Sequence, residues 1–204
     1  MESWYRDASA PLGAELRAFP MHSKRAFADF MAQAYYWVAN STRLICLAAG
    51  RLDPSLEVVH RRMIDHAAEE RGHHLVAQKD VEKLGFSLAD FSELPSTAAL
   101  YQTQYYQIEH VHPLAFFGYI VMLEGLSVLY GHEGLAIAEK AHGVDATRFL
   151  KMHANADEDH LPKAFAAVAS FPPFLQDAAR VNCARSIEYF RMMLREIVAR
   201  SGER

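Results

Sequence analysis

Only two cysteines occur, Cys46 and Cys183, far apart and in no metal-type spacing. Neither a disulfide framework nor a thiolate metal site is therefore expected, and a reduced, cytoplasmic setting follows as the expectation. Charge of one sign is also lacking. A formal net charge of -4 offers no electrostatic footing for nucleic acid or an anionic membrane. No run of about 18 consecutive apolar residues appears, so no membrane span is expected. Met1 to Arg6 has no basic start leading into an apolar stretch, so a signal peptide is not expected either. β-Branched alternation and hairpin dipeptides are nearly absent, which argues against a sheet. No linker, low-complexity tract or charge run divides the chain.

What remains is helical punctuation in a chain of 204 residues, 51% of them hydrophobic, enough to bury one core. Ser23 and Gly50 bound a first long helix over 23–49, with Phe27, Phe30, Met31, Ala34, Val38, Ile45 and Ala48 at helical spacing. Asp53-Pro54 reads as a cap and first helical position, opening a second helix that stops at Gly85. Further helices are predicted over 96–110, from Pro113 to about 141, from Asp145 to about 169, and over 174–200 after Pro172-Pro173. The expected fold is an all-α, single-domain bundle of six or seven helices spanning 1–204, with its core in about 23–200.

Histidine is abundant, with 11 residues, and it clusters. Two segments share the pattern His-x-x-x-acid-x-x-His: His66, Glu70, His73 and His153, Asp157, His160. At about 100° per residue, such positions fall within roughly 60° of one another, so each triplet would share a helix face. The face also carries apolar residues, and unpaired carboxylates buried there would cost several kcal/mol without a cation. Neutral imidazole suits iron, zinc or copper. Because i to i+7 spans about 10 Å, the two histidines of one triplet cannot share an ion. Either two metals lie side by side or one histidine per helix supports the ligands from behind. Glu124, alone in the apolar segment 116–126, needs a partner, and a metal is the sharpest candidate.

Taken together, these segments resemble the heme-oxygenase-like diiron oxidases and oxygenases, within the superfamily that includes TenA thiaminases and the PQQ-synthesis protein PqqC. The likeness covers about residues 24–169. It implies a heme-oxygenase-like bundle and metal ligands Glu70, His73, Glu124, His153, Asp157 and His160, with His66 as a substitute ligand. It also implies Fe(II), as two ions or one. Glu70 and Asp157 would bind or bridge, His73 and His160 would hold one iron, and His153 with His66 the second. Such proteins activate O2 to oxidise small molecules such as amino-acid derivatives or fatty acids. The family's usual first-helix carboxylate, about 33 residues before Glu70, is missing from Ala34-Tyr35-Tyr36-Trp37-Val38-Ala39-Asn40, and Asp29 lies about two turns too early.

Around this site, Tyr36 and Asn40 are candidates to face substrate, Arg43 or Lys163 to pair a substrate carboxylate, and Phe116, Phe117, Met122, Tyr35 and Tyr36 to line the cavity. The expected partners are a small-molecule substrate and O2, with a homodimer compatible with the architecture. Two other classes compete. A metal-independent TenA-like or PqqC-like enzyme would use a cysteine nucleophile, and a heme enzyme an axial ligand such as His22. A non-enzymatic helical metal-binding protein would need only the ligands.

Overall fold

A computed structural model describes residues 2–202, apart from the side chains of residues 156–159. The architecture is all-α, with no strand among the described residues. In chain order the α-helices are α1 (Glu2–Ala18), α2 (Lys24–Val38), α3 (Ser41–Gly50), α4 (Glu57–Glu69), α5 (His73–Lys83), α6 (Pro95–Tyr106), α7 (Phe117–Leu126), α8 (His132–His142), α9 (Arg148–Ala169) and α10 (Pro173–Ser201).

Local chemistry explains most boundaries. The Ser23 side chain accepts from Ala26 N and starts α2. Asp53 caps as expected, but it caps a short 3-10 turn, Pro54–Leu56, that leads into α4. The first long helix is interrupted at residues 39–40, where Asn40 Nδ2 donates to Tyr36 O. A short amide side chain that bonds the backbone in this way competes with helix continuation. The second is interrupted at Gly72, whose φ of +88° reverses the local handedness between α4 and α5. Thr147, not Asp145, precedes α9, and Asp145 instead ion-pairs with Arg148. The segment from 113 to 142 is one helical run with a 3-10 start and a π turn at Ser127–Gly131.

α1 lies outside the core predicted from the sequence. It carries Pro11, yet Tyr5 and Leu12 are buried from its inner face. Tyr5 donates its hydroxyl proton to Met122 O at 3.1 Å. The helix thus closes over α7.

One hydrophobic cluster runs through the bundle. α7 is its axis and packs against both α9 and α10. A Cβ on Gly118 would stand 2.0 Å from Ala179 O, so glycine is what lets α7 and α10 approach backbone to backbone. An 18-residue window of the run Pro113–His142 has mean hydropathy 1.6, high enough for a membrane span by composition, but 67% of it is buried inside the bundle. No 18 consecutive residues of it are apolar, since Glu124 interrupts the run, and the high mean reflects a central position.

Two polar contacts fix the layers around the site. Asp80 on α5, fully buried, accepts from Phe149 N with Oδ2 at 2.8 Å, capping α9 from another helix. Asp29 on α2 is ion-paired with Arg200 on α10 and accepts from Gln33 Nε2 at 3.0 Å.

Candidate metal centre

α4, α5, α7 and α9 bring the histidines and acids together in two groups. His66, Glu124 and His160 form one; Glu70, His73 and His153 form the other. Within each group the three ligand atoms lie within 4.8 Å of one another. α9 runs antiparallel to the α4–α5 segment, so the first histidine of one motif meets the last of the other. The His66 and His160 rings have centroids 5.6 Å apart, and those of His73 and His153 are 5.1 Å apart.

This differs from the sequence reading in two respects. His73 and His160 were expected to hold one metal, with His153 and His66 at the other; the structure pairs His73 with His153 and His66 with His160. The first triplet does not occupy one continuous helix face either. His66 is on α4, Glu70 caps its end, and His73 opens α5 beyond the break at Gly72. The spacing conclusion is kept for a simpler reason: His66 and His73 serve different groups. Asp157 lies outside the described residues.

Glu70 stands between the groups. Its Oε1 is 3.8 Å from His66 Nε2 and its Oε2 is 3.3 Å from His73 Nδ1. Burial pushes its carboxyl up, but His66, His73 and the nearby His153 outweigh that and hold it well below the usual carboxylate range. Glu124, buried on α7, has Oε1 3.9 Å from His66 Nε2. Glu69, more exposed, approaches His160 Nε2 at 3.5 Å from outside, the position of a residue that orients a ligand.

The centre has two faces. Outward, a polar opening is lined by Arg62, Asp65, Glu69 and Lys163 together with His66, Glu124 and His160. Inward, a cavity of about 150 Å³ reaches from Glu70, His66, Glu124 and His153 into the core. Its walls include Phe30, Trp37, Val38, Ile45, Phe116, Ile120, Leu123, Phe149 and Phe190, with Ser127, Tyr130 and Gly131 from the π turn after α7. π turns recur at functional sites because they redirect side chains within a helix.

Tyr119 also lines this cavity. It is 2% exposed, and its hydroxyl has no hydrogen-bond partner among the described residues. Burial, and then the neighbouring Glu70 charge, push its pKa far up, so it is held as the phenol. Leaving such a hydroxyl unbonded costs about 1–3 kcal/mol. Sequence reading passed over it because a tyrosine in an apolar helix looks like core.

Of the proposed lining residues, Phe116 borders the cavity, while Phe117, Met122, Tyr35 and Tyr36 are not among the residues lining it. Phe117 packs instead on Phe171. The substrate candidates are likewise engaged elsewhere. Tyr36 donates to Phe91 O at 2.9 Å, Asn40 accepts from Tyr105 Oη at 3.2 Å, and exposed Arg43 donates to Ala39 O. The α2–α3 residues that reach the cavity are Phe30, Trp37, Val38, Ser41 and Ile45. Tyr36, Asn40 and Arg43 are not among the residues that line it.

Trp37 occupies the position about 33 residues before Glu70 where the family's carboxylate was sought, packed between Phe30 and Phe190. Asp29 is already ion-paired to Arg200 and is no substitute. Cys46 is exposed, and Cys183 is buried with its thiol pushed up to about 12 by desolvation; neither lines the cavity. His22 is exposed and does not line it.

Similarity to known proteins agrees with the fold. Solved structures superpose over nearly the whole chain. One is a domain of unknown function with a heme oxygenase-like fold from Shewanella denitrificans, at TM-score 0.83 and 18% identity, covering 97% of this chain and 91% of that one. A TenA homolog from Pseudomonas syringae pv. tomato aligns at TM-score 0.79 and 13% identity, covering 96% and 91%. A CADD-like protein of unknown function from Nostoc punctiforme aligns at TM-score 0.64 and 16% identity, covering 96% and 95%. At these identities the likeness establishes a heme oxygenase-like fold. No curated protein matches the sequence significantly. The family model for iron-containing redox enzymes matches residues 28–189, and with most of its length covered, the chain belongs to that family.

Proposed function

We propose that this protein is a non-heme iron oxidoreductase that binds two ferrous ions, one in each histidine–carboxylate group, and uses O2 to oxidise a small molecule. The observation that carries the reading is the donor set. Each group offers two imidazoles and one carboxylate within a 4.8 Å span, the combination typical of non-heme Fe(II) oxygenases. Ferrous iron, when bound, supplies the electrons and open coordination positions for oxygen activation.

The chain's own residues supply the rest. Glu70, ionised at neutral pH, can bind without a proton to displace. Its place between His66 and His73 suits a carboxylate shared by both groups. Glu69 would orient His160. The apolar walls from α2, α3, α7 and α10 keep bulk water from the inner face. The missing carboxylate at Trp37 leaves the first-helix side of the centre apolar, and the substrate would lie there. A cysteine nucleophile has no support from the positions of Cys46 and Cys183.

Anaerobic Fe(II) titration of the metal-free protein tests this, followed by exposure to oxygen. Two equivalents are expected, falling to about one in both His73→Ala and His160→Ala, with oxygen uptake lost in both. Absence of stoichiometric binding would overturn the reading. Stoichiometric loading with no oxygen uptake under any substrate would favour a metal-binding protein without redox activity.

A further inference from the structure

The inner cavity has a composition that selects its occupant. Its described walls contain no lysine or arginine, so nothing there neutralises an anion. In the metal-free protein the acidic groups that reach it, Glu70 and Glu124, sit at the metal end and repel one. Apart from His66 and His153 at the same end and the hydroxyls of Ser41, Ser127, Tyr119 and Tyr130, the remainder is aliphatic and aromatic. At about 150 Å³, the cavity is of a size that accommodates a benzene-sized molecule.

Within these walls the Tyr119 hydroxyl stands buried and without a partner among the described residues. Tyr5, the other deeply buried tyrosine of the core, spends its proton on Met122 O. A buried hydroxyl without a partner, on a side chain that lines a cavity, is a donor whose acceptor the protein does not provide.

We propose that the cavity binds an uncharged, compact apolar molecule of about one ring in size that carries one hydrogen-bond acceptor, and that the Tyr119 hydroxyl donates to that acceptor. Tyr119 is the specificity-determining contact; the walls supply affinity. This deepens the oxidoreductase reading by naming its substrate class, and it rests on that reading only for the claim that the bound molecule is oxidised. Binding itself requires no iron.

Toluene, benzonitrile and benzoate share one ring and differ in the polar group, so they separate the two parts of the claim. Their binding to the full-length protein can be followed by NMR or calorimetry at pH 8 after chelation with EDTA. Benzonitrile is expected to bind tightest, toluene next, and benzoate weakest. Tyr119→Phe should weaken benzonitrile about three- to tenfold, the worth of one neutral hydrogen bond, and leave toluene unchanged. The variant should melt no lower than the parent, because it removes a hydroxyl that bonds nothing.

Benzoate binding as tightly as benzonitrile would overturn the charge selection. An equal effect of Tyr119→Phe on toluene and benzonitrile would overturn the role of the hydroxyl, as would no effect on either. Failure of all three ligands to bind would overturn the cavity assignment even if Fe(II) loads normally. Binding as expected in a protein that takes up no iron would instead sink the oxidoreductase reading and leave this one standing.

Discussion

Gly118 shows how much one missing methylene can decide. Its added Cβ would meet Ala179 O at 2.0 Å and Cys183 N at 2.7 Å, and backbone cannot turn aside as a side-chain tip can. Gly118→Ala must push α7 away from α10 or tilt it, and Tyr119 and Glu124 ride on that helix. Overpacking of this kind costs about 1–3 kcal/mol or more. The expected outcome is a lower thermal midpoint together with weaker metal binding, read by calorimetry and by Fe(II) titration. The residues of the two groups were mostly legible in the sequence, because imidazoles and acids at helical spacing in apolar surroundings need a compensating charge. Tyr119 was not, because an unbonded hydroxyl is a property of surroundings that no local pattern reveals.

At the scale of helices, periodicity located most of the bundle and missed its interruptions. The boundaries at Ser23, Gly50, Gly85 and Pro173 were readable from capping chemistry. The break at residues 39–40 was hidden because apolar residues flank it closely, and that at 70–72 because the repeated His-x-x-x-acid-x-x-His spacing reads through it. The second break separates His66 on α4 from His73 on α5, which the pattern alone places on one rod. The partnership of the histidines needed the antiparallel packing of α9 against α5, which is tertiary information. α1 was missed because Pro11 and a short apolar stripe obscure it, although its burial of Tyr5 is complete.

The break at Gly72 is itself testable. With φ of +88° and nothing within 4 Å of an added Cβ, a substitution there meets strain in the backbone alone. Gly72→Ala should cost about 1–2 kcal/mol. It should also disturb Fe(II) affinity, since Glu70 and His73 flank the turn. Unchanged urea midpoints would contradict the strain argument.

For the molecule as a whole, Asp80 sets a pH dependence. Desolvation pushes its carboxyl up to about 6, against an ordinary 3.8, and the backbone bonds from Phe149 and Arg148 only partly offset this. The folded state therefore holds this proton more tightly than the unfolded chain. The stabilisation is fully present below the ordinary value and is lost as pH rises through about 6. A shift of this size corresponds to about 3 kcal/mol. Asp80→Asn keeps an oxygen for Phe149 N and cannot ionise. Its stability relative to the parent should rise between pH 4.5 and pH 7.5, by up to about 2 kcal/mol in urea unfolding. A constant difference across that range would mean that Asp80 titrates normally. Comparison within the pair cancels the opposite trend of carboxylates such as Glu15, which bonding to Arg191 and Arg195 lowers despite the upward push of burial.

The helices that carry the two ligand groups are not equally anchored. α5 packs on both α2 and α9, whereas α4 leans mainly on α3, fully buries only Met63 and Ala67, and leaves Val58 and Ile64 exposed. Weakly held segments open first, so amides of 57–69 should exchange with deuterium before those of 73–83. Two otherwise matched sets of donors would then fill in sequence rather than at once. The set on the firm support, with His73, would fill at low iron, and the set with His66 only when α4 is pinned down by the second ion. A titration with two separated affinities, the weaker strengthened by whatever tightens α4, is the signature of such stepwise loading.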